Sequence, residues 1–244
     1  MKKVLFGLLV LGAMASCKKD SSSSPTATQP NVTPTPTDAY GVLAAVKTNN
    51  YVNIAGFSMN MPIGTAVAVF SDAAGLGTYV DAGAVTADDS TLTKQSNNSY
   101  VFMQTGYNTT GLDFSSGNAK WTVAGNGTVP AINKTTTSGF PFVDSVSAAG
   151  EVSIASELNL HAASAVINAD SIIYVVAGPD ATLMKTVAGG VNSYTFSAAD
   201  MATVGTGTGY LEVVPYNIEK QTISGKAYYY INESASTKMV KFTN

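Results

Sequence analysis

Few side chains in this 244-residue sequence are of the kinds that make or break bonds. His161 is the single histidine, so a Ser-His-Asp hydrolase would have to use it, yet no Gly-x-Ser-x-Gly elbow surrounds any serine. Its neighbours Leu160 and Ala162 suit a structural histidine better. One histidine and one cysteine exclude a zinc or other transition-metal site built on nitrogen and sulfur ligands, and no cofactor is expected. Carboxylates remain. Asp88-Asp89, and Asp72 with Asp81, carry the oxygen ligands that calcium takes, but the dense Asp-x-Asp spacing of a dedicated loop is missing and solvated loop acids are the plainer expectation. A glycosidase needs only two acids held several ångströms apart, which chain spacing does not reveal. No residue is therefore given a catalytic role, and the chain is expected not to be an enzyme. Aromatic residues offer binding chemistry. Tyr228 and Tyr230 share one face of a strand with Tyr229 on the other, and Trp121 is the only tryptophan. Exposed, these rings would stack on sugars; core and cross-strand packing is the plainer alternative.

Cys17 carries the strongest signal. Lys2 and Lys3 form a short basic start, and residues 4–14 are an unbroken apolar or small run, too short to span a bilayer core of about 30 Å. The run ends in Met14-Ala15-Ser16-Cys17, which resembles the lipobox of bacterial lipoproteins. The resemblance implies cleavage before Cys17, with small side chains admitting the peptidase, and acylation of the Cys17 thiol and the new amine. Two or three acyl chains, at about 0.8 kcal/mol per buried CH₂, make attachment effectively permanent. A lone cysteine can form no intramolecular disulfide, which removes the usual reason for one in an exported chain. Lys18-Lys19-Asp20 followed by serines resembles the lipoproteins of Bacteroidota, implying an outer-membrane location facing the exterior. Asp89-Ser90-Thr91 and Asp144-Ser145-Val146 are similar to the O-glycosylation sequon of that group, which makes Ser90 and Ser145 candidate sites. Asp170-Ser171-Ile172 has the same form but opens an apolar strand.

Charge excludes more than it suggests. All basic residues are lysines, arginine is absent and the net charge is −3, so a nucleic-acid partner is not expected. Loss of Lys2 and Lys3 would make the mature chain more acidic still, at about −5. Charged residues are 12% of the chain and hydrophobic residues 45%, enough for a core beneath a neutral Ser, Thr, Gly and Asn surface.

The elements that would carry such residues are strands. Residues 17–37 comprise the lipidated cysteine and a Ser/Thr/Pro linker with Pro25, Pro30, Pro34 and Pro36, expected to be a flexible stalk. Beyond it, short β-rich runs punctuated by turn residues predict an all-β fold of one or two antiparallel sandwiches. Residues 65–70 read as a strand buried on both sides, residues 120–124 as a strand with Trp121 and Val123 inward, and residues 172–176 as a buried strand. Residues 183–187 and 193–196 flank Gly189-Gly190 as an expected hairpin. Residues 151–167 are read as strand, and Ser197 to Asp200 as a cap opening one helical turn.

The Gly/Thr/Asn-rich segment 125–141 is the expected boundary between an N-terminal β domain, 38–130, and a C-terminal one, 138–244, behind a signal peptide at 1–16. The C-terminal half resembles a fibronectin type III or immunoglobulin-like sandwich. Residues 192–196 stand for its E strand, 210–216 for its F strand, and 226–231 with 237–242 for a closing hairpin. Glu212 departs from that pattern, lying where an apolar residue is usual. Asn98 to Phe102 echoes Asn192 to Phe196, which would suit two diverged sandwiches.

The expected function is that of a non-enzymatic, lipid-anchored envelope protein, held to a membrane and binding a glycan or protein partner. A hydrolase using a carboxylate pair is the alternative. A third reading is a component assembled by strand pairing at an exposed sheet edge.

Overall fold

Long apolar alternation in two hairpins sets the frame of the molecule. The computed structural model describes residues 36–54, 57–104 and 110–244; Cys17 and the segments expected to be a signal peptide and, as far as residue 35, a stalk lie outside them. The N-terminal half supplies β1 (Ala39–Ile54), β2 (Phe57–Phe70), β3 (Val85–Ala87), β4 (Ser90–Thr91), β5 (Thr93–Lys94), β6 (Tyr100–Val101), β7 (Lys120–Val123) and β8 (Ile132–Thr135). The C-terminal half supplies β9 (Val146–Ser147), β10 (Glu151–Ser153), β11 (Leu158–Ala162), β12 (Ser171–Ala177), β13 (Thr182–Ala188), β14 (Ser193–Phe196), α1 (Ala198–Met201), β15 (Gly207–Ile223) and β16 (Lys226–Thr243). One nine-stranded sheet runs β13-β12-β15-β16-β1-β2-β6-β5, with β10 also beside β16. Two small sheets, β4-β3-β7-β8 and β14-β11-β9, lie against it. The fold is all-β, and no helix among the described residues is long and apolar enough to cross a membrane.

The β15–β16 hairpin is the spine. Its register keeps one offset from Ile223↔Lys226 to Gly207↔Phe242, skipping Val214 and Pro215, over some 55 Å of ribbon at about 3.3 Å per residue. Ser224 (φ 52°) and Gly225 (φ 77°) form its two-residue turn, whose left-handed backbone matches the strand twist. The even-numbered face of β16 feeds two cores. Tyr228 and Tyr230 enter the first, with Leu43, Phe70, Tyr100 and Trp121; Val240 and Phe242 enter the second, with Leu160, Tyr174 and Met201. On the opposite face Ile231 and Ala235 join a third cluster with Val42, Ala44, Val69, Ile173 and Val214.

Several sequence expectations hold locally. β2 is buried on both faces at its end, with Ala66, Ala68 and Phe70 in the first core and Val69 in the third cluster. β7 alternates as expected, β12 is buried along its length, and β10 and β11 are strands. Ser197 caps α1 in a capping box with Asp200. In the C-terminal half, β14-β11-β9 faces β13-β12-β15-β16 across the second core.

Three expectations are corrected. Residues 226–243 are one strand and not a hairpin: the polar run Asn232, Glu233 and Ser234 looks like a turn, but all three are buried and paired with β1 or β15. β13 and β14 belong to different sheets, because Gly189-Gly190 carries the chain across the sandwich; a Cβ at Gly189 would collide with the Ala169 carbonyl oxygen. The boundary near residues 130–138 separates two small sheets but not two closed folding units. β16 runs parallel to β1 from Ala39↔Ala227 to Asn49↔Ser236 and completes the N-terminal core. The echo between residues 98–102 and 192–196 is no repeat, since β6 lies between β2 and β5 in the large sheet and β14 edges a small one.

Candidate functional site

The aromatic candidates are core residues. Trp121 and Tyr230 are 0% exposed and Tyr228 is 1% exposed, so none of them stacks on a sugar. All three rings fill the first core, and burial there outweighs exposure for rings of this size. The Tyr230 hydroxyl donates to Gln221 Oε1 (2.9 Å). Tyr229, on the other face, donates to Asp38 Oδ1 (2.6 Å), and Lys220 donates to Asp38 Oδ2 (2.7 Å).

The acids do not gather into a metal site. Among the described residues no three His, Cys, Asp or Glu side chains are placed to hold a metal ion. Asp81 is bonded by Lys94 (2.7 Å), the Tyr100 hydroxyl (2.7 Å) and the Gly83 N–H (2.8 Å). Lys94 first, then Tyr100, hold its carboxyl far below the usual range. Asp89 pairs with Lys120 (2.8 Å), and Asp72 is exposed after β2. Asp88 differs: burial pushes its carboxyl up, and its buried Oδ2 accepts no hydrogen bond. Asp113 acts on it weakly and is itself held low by Ser115.

His161 is half-exposed on β11, opposite Ser147 and Ser193, with Nδ1 3.3 Å from the Asn159 carbonyl oxygen. Ser90 and Ser145 are half-buried, Ser90 at the start of β4 and Ser145 just before β9. The Ser145 N–H donates to Asp144 Oδ1 (2.7 Å).

The residues the structure brings together lie where the two sandwiches meet. Asn217 on β15 and Asn232 on β16 are cross-strand partners, and both are buried. Asn217 Nδ2 donates to the carbonyls of Ser138 (3.1 Å), Gly139 (3.1 Å) and Asn168 (2.9 Å), while its Oδ1 accepts from the Asp170 N–H (2.9 Å). Asn232 Nδ2 donates to Thr136 Oγ1 (2.8 Å) and the Gly139 carbonyl (3.1 Å). One turn of pleat below, Glu219 Oε1 accepts from the N–H groups of Thr137 (2.5 Å) and Ser138 (2.8 Å) and from the Ser138 hydroxyl (2.9 Å). Its Oε2 meets Lys134 (2.7 Å). Burial opposes the charge, but Lys134 and these donors outweigh it and hold the carboxyl at about 2.

This network clamps the loop from β8 to β9 and thereby presents an apolar pair. Phe142 lies between buried Pro141 and Val143, whose carbonyl accepts from Asn49 Nδ2 (3.0 Å). Phe142 and Ile167 exchange backbone bonds (2.9 and 3.2 Å), which sets their side chains next to each other on one face. They are 52% and 60% exposed, large values for side chains on a braced backbone. Val191, also exposed, belongs to a loop tied to theirs by the Val166 N–H to Asn192 Oδ1 bond (3.0 Å). Sequence reasoning passed over all three. The available signal was a phenylalanine directly after Pro141, just past the segment 125–141 read only as a boundary.

Comparison with family models, with curated proteins and with solved structures returns no match for this chain.

Proposed function

We propose that this chain is a non-enzymatic, lipid-anchored protein of the cell envelope, facing outward from the outer membrane. It binds a protein or glycan partner through the loops at the junction of its two sandwiches. The exposed Phe142–Ile167 pair carries the reading. Both faces of the large sheet's central strands are consumed by cores, which favours the braced loops as the recognition surface, the usual division of labour between scaffold and loop. With Trp121, Tyr228 and Tyr230 buried, no flat aromatic platform of these rings is offered to sugars, so a protein with a complementary apolar side chain fits better than a glycan. Covering what Phe142 and Ile167 still expose is worth roughly 2–3 kcal/mol between them, a fair central contribution to a modest interface.

The test has two stages. Protease shaving of intact cells, read by mass spectrometry, should release peptides from residues 38–244. The double variant Phe142→Ser, Ile167→Ser should then fail to retain surface partners that the unaltered chain captures, with an unchanged thermal midpoint. Protection of those peptides until the outer membrane is broken would overturn the outward placement, and undiminished capture would overturn the site.

One observation favours the hydrolase alternative: the buried Oδ2 of Asp88 accepts no hydrogen bond, and burial raises its carboxyl toward the protonated form a general acid needs. Turnover of a polysaccharide that Asp88→Asn abolishes would establish it.

A further inference from the structure

β13 ends the nine-stranded sheet, and β12 is its one strand partner among the described residues. The Gly178 N–H to Ala181 carbonyl bond (3.0 Å) and the Gly189 N–H to Asp170 carbonyl bond (2.8 Å) fix the phase of that ladder. By alternation, the backbone groups of Leu183, Lys185 and Val187 face β12. Those of Thr182, Met184 and Thr186 point outward along the edge. Met184, Lys185 and Thr186 are all exposed, so neither face of the strand's middle is covered. Prolines, bulges and inward charges normally blunt such an edge. Here the one device is Lys185, whose ammonium lies over the Tyr194 ring (5.7 Å).

We infer that β13 is a homotypic docking edge: a second copy of this chain adds its own β13, antiparallel, about a two-fold axis at Met184. Charge and register select that partner. Outward residues must meet outward residues, which leaves few ways to pair the strand with itself. Centring on Met184 sets Thr182 against Thr186, Met184 against Met184 and Lys185 against Leu183. Centring on Lys185 would set two ammonium groups face to face, which repels. The only charge on the strand therefore permits the first register and forbids the second. Strands this short bury well under the ~1,000 Å² of a stable interface, so the pair is weak and concentration-dependent in solution. Membrane attachment would confine copies to a plane and raise their effective concentration. The strength of the pairing in the envelope rests on the anchored reading above, whereas its geometry does not.

Cross-linking reads the register directly. The full chain carrying Cys17→Ser, in a nonionic detergent at excess micelle, has no thiol of its own. Facing residues of a hydrogen-bonded antiparallel pair have Cα atoms about 5.5 Å apart, within disulfide reach. Under mild oxidation Met184→Cys should give at least tenfold more covalent dimer than Met239→Cys, an exposed site elsewhere (60%), or than Thr186→Cys, an exposed site on the same strand that faces Thr182 and leaves Lys185 in place. Adding Thr186→Pro, which removes one outward N–H, should return Met184→Cys to the control level with the circular dichroism unchanged. Sedimentation of the Cys17→Ser chain should show a monomer passing to dimer as concentration rises, a readout that stands if the proline variant fails to fold. Equal cross-linking at positions 184, 186 and 239, or a monomer at every concentration, would overturn the inference. Survival of the Met184→Cys dimer in a folded chain that also carries Thr186→Pro would do the same. Failure of these experiments leaves the Phe142–Ile167 site untouched, because that site lies off this edge.

Discussion

Replacing Glu219 by glutamine keeps the shape of the side chain and removes its charge, so it isolates what the carboxylate does at the sandwich junction. In the folded chain the carboxyl is held at about 2, against an ordinary 4.5. Between these values the unfolded chain binds more protons than the folded one, so stability rises with pH across that window. The contribution is complete above about pH 4.5 and gone near pH 2. A displacement of that size corresponds to roughly 3 kcal/mol, and residual solvent at the site trims it to about 2. The side chain is 15% exposed, which keeps the trimming modest. For a domain of this length that is roughly 4–8 °C in the thermal midpoint. The assay is urea unfolding of wild type and Glu219→Gln at intervals from pH 2 to pH 8. The variant should lose about 2 kcal/mol at pH 7 and show a shallower acid limb, the two curves converging near pH 2. Asp81, also held low, leaves some acid limb in both. A variant that loses under half a kcal/mol at pH 7 while keeping the full wild-type limb would refute the claim that Glu219 clamps the loop.

Other outcomes follow from the same geometry. Asn217→Asp sets a charge against the three carbonyls that Asn217 Nδ2 now serves, and should cost about 3 kcal/mol or more, read as a lowered urea midpoint. Glu212 is buried with only the Thr237 hydroxyl donating to it (2.8 Å), and burial pushes its carboxyl up. Its folded form therefore resists ionisation, wild-type stability falls as pH rises above about 4.5, and Glu212→Gln should raise the thermal midpoint more at pH 8 than at pH 4.5. A fragment of residues 36–135 lacks Tyr228 and Tyr230 and the parallel partner of β1, so its amide spectrum should be that of an unfolded chain. Trp121→Ala should cost about 3–5 kcal/mol through cavity formation, seen by denaturant titration, and should abolish no binding that Phe142 and Ile167 support in the folded protein.

Much of this molecule is legible residue by residue. The alternation Lys120, Trp121, Thr122, Val123 fixes which way β7 faces, because a pleated strand admits only two sides. The Ser197 and Asp200 pair fixes a helical turn, because each side chain satisfies the other's backbone N–H. Counting histidines and cysteines likewise bounds the metal chemistry available to the chain. Tertiary structure decided what alternation cannot address. Whether Asn232, Glu233 and Ser234 make a turn or continue a strand depends on whether distant groups accept their hydrogen bonds. Thr136 and Gly139, on a loop nearly a hundred residues earlier, do so for Asn232. Whether Tyr228 and Trp121 face sugars or each other's core depends on which sheet lies above them, and that sheet is assembled from both ends of the chain. The exposed Phe142–Ile167 pair and the bare edge of β13 are properties of what fails to lie alongside them, and local sequence carries no record of that.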